Sequence, residues 1–343
     1  MGLGENELSY DALLFVSFGG PEGPADVMPF LRNVVRGRNV PEERLLEVAA
    51  HYGRFGGCSP INQQNRDLIA ALTREMQRYG MNMPIYWGNR NWKPYVTDAV
   101  AQMKSDGIHR AMAFVTSAFS SYSGCRQYLD NISDAVAQAG HGGPQIDKLR
   151  VFYNHPLFIR AVSENVEAAL QRLPASVRSG AQVLYTAHSI PISMAEGCDY
   201  ARQLHESCRL VSEALGRTGD RLAYQSRSGP PSQPWLEPDV LAALRDVKSS
   251  NTFQSVVIAP IGFVSDHIEV LFDLDVEARS ECDELQLPME RAATVSTNPK
   301  FVRMIRELIQ ERMEGVQARA TLGAFGPGPD HCLPDCCPAP RRP

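Results

Sequence analysis

The feature that most constrains how this chain can fold is the alternation of short apolar runs with longer amphipathic segments. Four runs are apolar and largely β-branched, as is typical of strands buried on both faces: residues 12–18, 111–117, 183–187 and 255–261. Apolar residues spaced three and four apart predict helices over residues 65–79, 94–106, 156–173, 199–215 and 299–313. Strands that alternate with helices indicate parallel sheets built from βαβ units.

The length of 343 residues allows two such sheets side by side, because a domain has roughly 150 residues. We predict a boundary near residues 160–175 and expect the C-terminal helix to pack back on one sheet. Ligands of open parallel sheets bind beyond the carboxyl ends of the strands. The residues that follow each predicted strand are therefore the first candidates for function.

Charge and hydropathy exclude several classes of protein. The 34 Lys and Arg residues against 39 Asp and Glu residues give a net charge of −5, which argues against nucleic-acid binding by the whole chain. The N-terminal apolar run follows Glu5, Glu7 and Asp11 instead of the basic segment of a signal peptide. The longest apolar stretch, residues 256–264, contains Pro260 and is far shorter than the roughly 20 residues of a membrane span. We therefore expect a soluble, cytoplasmic protein with no membrane segment.

One histidine, His188, directly follows the predicted strand 183–187. Ser189 and Pro191 come next and favour a non-helical exit from that strand. A neutral imidazole there could accept a proton or bind a borderline metal ion near neutral pH. The alternative is a histidine that only makes capping hydrogen bonds, which is the more frequent case for an isolated histidine.

Three carboxylates, Glu269, Asp273 and Glu277, follow the predicted strand 255–261 at four-residue spacing. In a helix they would form a ladder along one face. Like charges repel, and a divalent cation that accepts oxygen ligands would compensate them. The alternative is an acidic helix face that only contacts water. If the ladder leaves the same sheet edge as His188, that histidine becomes a plausible base opposite Glu269.

Aromatic and cationic side chains near other strand ends suit a planar, anionic and largely apolar ligand. Residues 86–92 combine Trp87 and Trp92 with Arg90, and Arg36 lies in a second basic segment. Rings can cover the faces of such a ligand while arginines pair with its carboxylates. The alternative is that the tryptophans only pack in the core or at its rim.

The last twenty residues, 324–343, hold six prolines and three cysteines and show no helical or strand period. Disulfides are rare in a reducing compartment, where clustered cysteines more often bind metal. Cys332, Cys336 and Cys337 would supply three of the four ligands of an iron–sulfur cluster, with Cys125 the best-placed fourth. A zinc site that includes His331 and a mobile tail with free thiols are the alternatives.

Four segments together resemble the ferrochelatase family, whose members insert ferrous iron into a porphyrin. They are Gly-Cys-Ser-Pro at 57–60, Thr-Ala-His-Ser-Ile-Pro at 186–191, Pro-Trp-Leu-Glu-Pro at 234–238, and Pro-Ile-Gly-Phe-Val-Ser-Asp-His-Ile-Glu-Val-Leu at 260–271. The resemblance extends from about residue 10 to about residue 313 and follows the family's motif order.

The resemblance implies an α/β fold of two similar Rossmann-like domains, each a parallel sheet flanked by helices, with the active-site cleft between them. The implied division is an N-terminal domain at 1–165 with a porphyrin-binding lip, a C-terminal domain at 166–323, and a Pro- and Cys-rich cluster-binding tail at 324–343.

The resemblance also implies roles for individual residues. His188 would be the proton acceptor or the metal-facing ligand, and Glu269 would face it across the Fe²⁺ substrate. Removing two pyrrole N–H protons from a bent macrocycle requires a base, which agrees with that assignment. Asp273 and Glu277 would relay protons or pass the cation inward.

Five further positions match those that line the family's porphyrin pocket: Phe18, Arg36, Ser59, Arg90 and Ser121. The two arginines could pair with propionates. Phe18 stands where some bacterial members have a tyrosine that can bind the product's iron, so that axial role is absent or filled elsewhere.

The pattern of Cys125 with the tail cysteines Cys332, Cys336 and Cys337 is similar to the family branch that carries a 2Fe-2S cluster. That likeness favours the cluster over zinc or free thiols, with a structural or a sensing role. The adjacent pair at 336 and 337 is tighter than in some members.

Coproporphyrin III is the favoured porphyrin, and protoporphyrin IX is the alternative. Two rival hypotheses are a cobalt or nickel chelatase acting on another tetrapyrrole and a non-catalytic haem or metal carrier. The expected partners are the porphyrin and ferrous iron, with a downstream haem-pathway enzyme as a further candidate. A monomer is expected.

Overall fold

The computed structural model describes residues 9–37, 40–229 and 232–339. Eight strands lie within these residues and form two four-stranded sheets. The strands are β1 (Ala12–Ser17), β2 (Ile85–Asn89), β3 (Arg110–Val115), β4 (Gln145–Lys148), β5 (Ala181–His188), β6 (Arg221–Gln225), β7 (Ser255–Ala259) and β8 (Met289–Arg291).

The two sheets have the same topology. The strand order is β2-β1-β3-β4 in the first and β6-β5-β7-β8 in the second, and all neighbours are parallel. In each sheet the first strand along the chain is an inner strand. The second strand lies at the edge on one side of it, and the third and fourth strands lie on the other side. This confirms the predicted α/β fold with two similar parallel sheets flanked by helices.

Thirteen α-helices lie within the described residues. They are α1 (Pro24–Val34), α2 (Glu42–Gly53), α3 (Ile61–Arg78), α4 (Val96–Ser105), α5 (Gln127–Ala139), α6 (Pro156–Arg172), α7 (Ala175–Arg178), α8 (Ile192–Ala195), α9 (Tyr200–Ala214), α10 (Val240–Ser249), α11 (Ile268–Val270), α12 (Ala278–Glu284) and α13 (Pro299–Met313). Two π-helical segments, Tyr122–Arg126 and Leu271–Glu277, complete the set. None of these described helices has both the length and the apolar character needed to cross a lipid bilayer.

One apolar core is shared by the two sheets. It includes Phe15 and Phe114 of the first sheet and Tyr185 of the second, all almost fully buried. Helix α13 packs against α3 and α6, and its Phe301 ring lies 6.4 Å from that of Phe114. The C-terminal helix therefore packs back against the first sheet, as predicted.

The expected division after residue 165 falls inside helix α6. This helix contacts β7 and β8 of the second sheet as well as α13. Because residue 165 lies within a continuous helix, no break in the structure marks the expected boundary. The assignment of 1–165, 166–323 and 324–343 stays a prediction.

The tail is held to the rest of the protein by polar contacts more than by apolar packing. Asn154 donates to the carbonyl of Gly326 over 2.8 Å, and Arg126 donates to that of Pro334 over 2.9 Å. Asp330 forms ion pairs with Arg312 and Arg319. Residues 326–334 of the tail therefore lie against Asn154, Arg126 and the end of helix α13.

Candidate active site

The last residue of strand β5, His188, is fixed by its backbone. Tyr200 on α9 donates its hydroxyl proton to the His188 carbonyl over 2.9 Å, and the next amide, Ser189 N–H, donates to the carbonyl of Gln225 over 2.8 Å. The Nδ1 of the imidazole contacts the Ser189 carbonyl, which can only accept a hydrogen bond. Nδ1 therefore carries the proton, and the lone pair of the neutral ring is on Nε2.

A second segment supports the chain after His188. Leu236 N–H donates to the carbonyl of Ile190, and Ile192 N–H donates to the carbonyl of Pro234, each over 3.0 Å. Trp235 between them is buried and pairs with Pro191 in an isolated antiparallel bridge. This pairing fixes the loop that follows β5.

The carboxylate of Glu269 lies opposite His188. Its Oε2 is 3.9 Å from His188 Nε2, and the two side chains are 48% and 37% exposed. Glu269 is on α11, which follows β7, and β7 is hydrogen-bonded to β5 in the sheet. The structure thus brings together a basic nitrogen and a carboxylate at neighbouring strand ends, where a reactant can reach both.

The other two carboxylates continue from Glu269 along the π-helical segment Leu271–Glu277. Gln225 Nε2 donates to Asp273 Oδ2 over 3.2 Å, and the Ser226 hydroxyl also donates to that oxygen. Burial raises the pKa of Asp273 to about 7, and the nearby charges of Glu269 and Glu277 add to that rise. Burial also raises the pKa of Glu277. The charges of Glu269 and Glu277 both act on Asp273, so the three side chains lie near one another in a row, called the carboxylate path below.

A further histidine, His267, belongs to the same group. Its Nδ1 accepts a hydrogen bond from the amide of Val270 over 3.4 Å at the start of α11. Burial lowers its pKa, Glu269 opposes that change and His188 adds to it. His267 lies in the motif at 260–271 but has no role among the sequence predictions. Its position just after a predicted strand was the signal that could have identified it.

The exits of β1 and β2 together form an aromatic and cationic wall. The guanidinium of Arg90, at the exit of β2, lies 5.9 Å from the centre of the Phe18 ring and 5.5 Å from that of Tyr128. Arg90 Nη1 also donates to the carbonyl of Ser123 over 3.3 Å. Phe18 and Arg90 are both partly exposed, so an aromatic face and a cation border the same space.

The three remaining predicted pocket residues differ in exposure. Arg36 is exposed just after α1. Ser59 is buried against Gly20, and its hydroxyl has no hydrogen-bond partner among the described residues. Ser121 is buried too, and its hydroxyl accepts from the amide of Gly124 over 2.9 Å as a helix cap. Direct contact of either serine with a porphyrin stays a prediction.

Helices α1 and α2 form a lip over the carboxylate path. Ile268 on α11 packs in their apolar cluster with Phe30, and the His51 ring stacks on Phe272 with 3.6 Å between centroids. Burial raises the pKa of Tyr52, and the charge of Glu269 contributes to that rise. Sequence patterns did not reveal these contacts, because both partners follow their own helical periods and meet only in the folded chain.

Four cysteines form a group beside the π-helical segment Tyr122–Arg126. The thiols of Cys125 and Cys332 interact directly, which raises the pKa of the buried Cys125 and lowers that of Cys332. Cys332 also interacts with Cys336, whose sulfur is 3.7 Å from that of Cys337. Across the described parts of the chain, no three His, Cys, Asp or Glu side chains converge as ligands of a single metal ion.

The fold is similar to that of two solved SirB structures. SirB from Bacillus subtilis with Fe3+ aligns with a TM-score of 0.57 and 12% sequence identity, over 90% of this chain and 98% of that one. The cobalt complex of the sirohydrochlorin chelatase SirB from Bacillus subtilis subspecies spizizenii aligns with a TM-score of 0.53 and 9% identity, over 91% of this chain and 99% of that one. At these identities the likeness shows the fold alone.

Sequence relatives are far more similar. A ferrochelatase of Rhodopirellula baltica is 57% identical over 97% of this chain and 95% of its own length. A coproporphyrin III ferrochelatase of Streptomyces coelicolor is 48% identical over 96% of this chain and 94% of its own length. The ferrochelatase family model matches residues 10–313. On these matches the chain belongs to the ferrochelatase family, the lyases that insert iron into a porphyrin.

Proposed function

We propose that this ferrochelatase converts coproporphyrin III and Fe²⁺ into Fe-coproporphyrin III, with His188 as the first proton acceptor and Glu269 as its partner at the metal. The observation that carries the proposal is the His188 Nε2 lone pair, which faces the Glu269 carboxylate at 3.9 Å in an accessible cleft. Insertion replaces two pyrrole protons by one dication, so the reaction releases two protons and conserves charge.

The two protons require acceptors beside the macrocycle. His188 Nε2 takes a pyrrole proton, because its lone pair is free and a neutral imidazole can act as a base. The Glu269 carboxylate faces the imidazolium that results and stabilises its charge. The same carboxylate offers oxygen atoms to the incoming Fe²⁺, which accepts both imidazole and carboxylate ligands.

Asp273 and Glu277 continue the carboxylate path from Glu269, whose own side chain is 48% exposed. Asp273 carries a pKa of about 7, so it exchanges protons readily at neutral pH. Glu277 is exposed at the outer end of the path. We infer that this row delivers Fe²⁺ or removes protons, while the Phe18 and Arg90 wall holds the porphyrin.

The choice of porphyrin rests on relatives and on cations near the cleft. Several relatives that are 46–49% identical over at least 96% of this chain carry the name coproporphyrin III ferrochelatase. Coproporphyrin III has four propionates, and Arg90 and Arg36 supply cations that can pair with them. Protoporphyrin IX, with two propionates, is the second candidate, because the 57% identical relative is named only as a ferrochelatase.

The four cysteines fit a 2Fe-2S cluster. The 3.7 Å between the sulfurs of Cys336 and Cys337 matches the ~3.8 Å expected for two thiolates on one tetrahedral metal at about 2.3 Å. Cys125 and Cys332 form a second pair of neighbouring thiols, each of which shifts the pKa of the other. We infer that these four thiols hold the cluster, which would supply a covalent link between the tail and the first sheet.

We further propose that the protein acts as a monomer in the cytoplasm and passes its product to a downstream haem-pathway enzyme. These proposals are based on the family alone and on no feature of the structure.

The experiment is anaerobic insertion of Fe²⁺ by the purified protein, with coproporphyrin III and protoporphyrin IX supplied separately. We expect kcat/KM to be about tenfold higher for coproporphyrin III, since extra charged pairs each contribute about 1.5–3 kcal/mol to recognition. A higher value for protoporphyrin IX would reverse the substrate assignment. Tight binding of both porphyrins without turnover would instead support a carrier.

A further inference from the structure

A fifth thiol, Cys198, lies beside the cysteine group and has no part in the site described above. It is in the segment between α8 and α9, which continues from the exit of β5. Its sulfur is partly buried and donates to the carbonyl of Met194 over 3.2 Å. Unlike Cys125 and the tail cysteines, it belongs to the part of the chain that forms the second sheet and its helices.

The segment that carries Cys198 touches both chain segments of the cysteine group. A Cβ placed on Gly197 would be 3.4 Å from Cγ of Pro338, the residue after Cys337. On the other side, the hydroxyl of Ser123, which is two residues before Cys125, is 3.9 Å from the sulfur of Met194. The segment around Cys198 therefore contacts both stretches of chain that supply the four thiols.

The electrostatic interactions agree with that placement. Burial raises the pKa of Cys198, and the neighbouring Cys336 and Cys125 raise it further. Cys198 in turn is among the groups that raise the pKa of Cys337. Electrostatic effects of this kind arise between nearby groups.

We propose that Cys198 is a reserve thiolate ligand, able to replace Cys336 in the cysteine group. The inference rests on the proposed cluster, which needs four thiolates whereas five thiols are gathered here. Cys336 is the natural member to be replaced, because it is partly exposed and adjoins a second ligand in the sequence. In the exchange the Cys336 sulfur leaves an iron and the Cys198 sulfur binds it. The proton of the Cys198 thiol passes to the departing thiolate, and no electrons are transferred.

The test uses alanine substitutions in the full-length protein, because a serine oxygen could itself bind iron. Cys336→Ala, Cys198→Ala and the double variant are purified anaerobically. Iron, acid-labile sulfide, visible absorption and circular dichroism are measured without assaying activity. Cys282→Ala is the matched control, since it removes a buried thiol from a separate apolar core. If the purified wild-type protein contains neither iron nor acid-labile sulfide, the proposed 2Fe-2S cluster is wrong, whatever the variants show.

We expect Cys336→Ala to keep about half or more of the wild-type iron and sulfide with an all-thiolate spectrum, and the double variant to keep about a tenth or less. Cys198→Ala and Cys282→Ala should match the wild type. Loss of the cluster in Cys336→Ala as complete as in the double variant would overturn the proposal. So would its loss in Cys198→Ala alone, since Cys198 would then be a primary ligand.

Discussion

The two halves of the molecule repeat one topology, yet different groups occupy equivalent positions. In each half a π-helical segment follows the third strand in sheet order, Tyr122–Arg126 after β3 and Leu271–Glu277 after β7. The first segment carries Cys125 and holds Arg90 through a backbone carbonyl. The second carries Asp273 behind Glu269.

The exits of the central strands differ in the same way. β1 leads to Phe18, an aromatic surface, whereas β5 ends at His188, a base. This difference agrees with the proposal that the second half performs the proton and metal chemistry and the first half recognises the porphyrin. A repeated fold can therefore divide one reaction between its halves, because each strand exit is free to carry its own side chains.

The strongest challenge to this division is Glu269→Gln, which keeps the shape of the side chain and removes its charge. We expect kcat to fall by about 10²–10⁴, because the carboxylate faces both the imidazole and the incoming cation. The measurement is anaerobic Fe²⁺ insertion at saturating porphyrin. Glu213→Gln, an exposed carboxylate on α9, is the control. A kcat within about threefold of the wild type would remove Glu269 from the chemistry.

In the first half, Arg90→Ala should act on binding instead of turnover. We expect the porphyrin KM to rise by about 10–100-fold, the effect of losing a charged hydrogen bond, with kcat nearly unchanged. Steady-state kinetics with varied porphyrin measures both constants. Arg78→Ala, an exposed arginine on α3, is the control. A selective loss of kcat in Arg90→Ala would contradict the assignment of recognition to this half.

Asp273→Asn tests the raised pKa of a carboxyl in the second half through the pH dependence of the free energy of unfolding. The folded-state pKa of Asp273 is about 7 against 3.8 for the ordinary carboxyl, so the folded state binds this proton more tightly than the unfolded state. The wild type therefore loses stability as the pH rises from about 4 to about 7, and the variant lacks that loss. We expect the variant to be more stable by about 1–2 kcal/mol at pH 8, a value reduced for partial solvent screening.

Denaturant unfolding at pH 4.5 and pH 8 measures this difference, with Asp134→Asn on the exposed face of α5 as the control. Equal stabilities of the wild type and Asp273→Asn at both pH values would show that Asp273 carries no raised pKa.

The smallest expected effect concerns the lip that joins the halves. His51→Ala removes the ring stacked on Phe272 and should lower the free energy of unfolding by about 0.5–1.5 kcal/mol. Leu46→Ala, 56% exposed on the same helix, is the control and should change stability far less. The two variants are compared by denaturant unfolding, and equal effects would show that the stack adds no stability.

The inner strands were predictable because β1, β3, β5 and β7 are buried on both faces and need continuous apolar runs. The outer strands β2, β4, β6 and β8 were not, since they are short and carry polar residues such as Arg221 and Glu290. Their place in the sheets depends on pairing with the inner strands, which a local pattern does not encode.

The candidate site was predictable to a similar extent. The proximity of His188 and Glu269 follows from two strand exits at one sheet edge, which the sequence pattern contains. The π-helical winding behind Glu269, the bonds from Ser226 to Asp273 and the stack of His51 on Phe272 arise only from tertiary contacts. A linear pattern of apolar and charged residues carries no signal for them.

The central claim, that the second half supplies the chemistry and the first half the porphyrin site, is tested most directly by His188→Ala. Tyr200 bonds the backbone carbonyl of His188, so the strand exit is expected to survive the loss of the ring. Porphyrin affinity is measured by fluorescence titration and turnover by anaerobic Fe²⁺ insertion on the same preparation. The account predicts a Kd within about threefold of the wild type and a kcat lower by about 10²–10⁴. Turnover close to that of the wild type, or a loss of turnover that a weaker Kd fully explains, would contradict it.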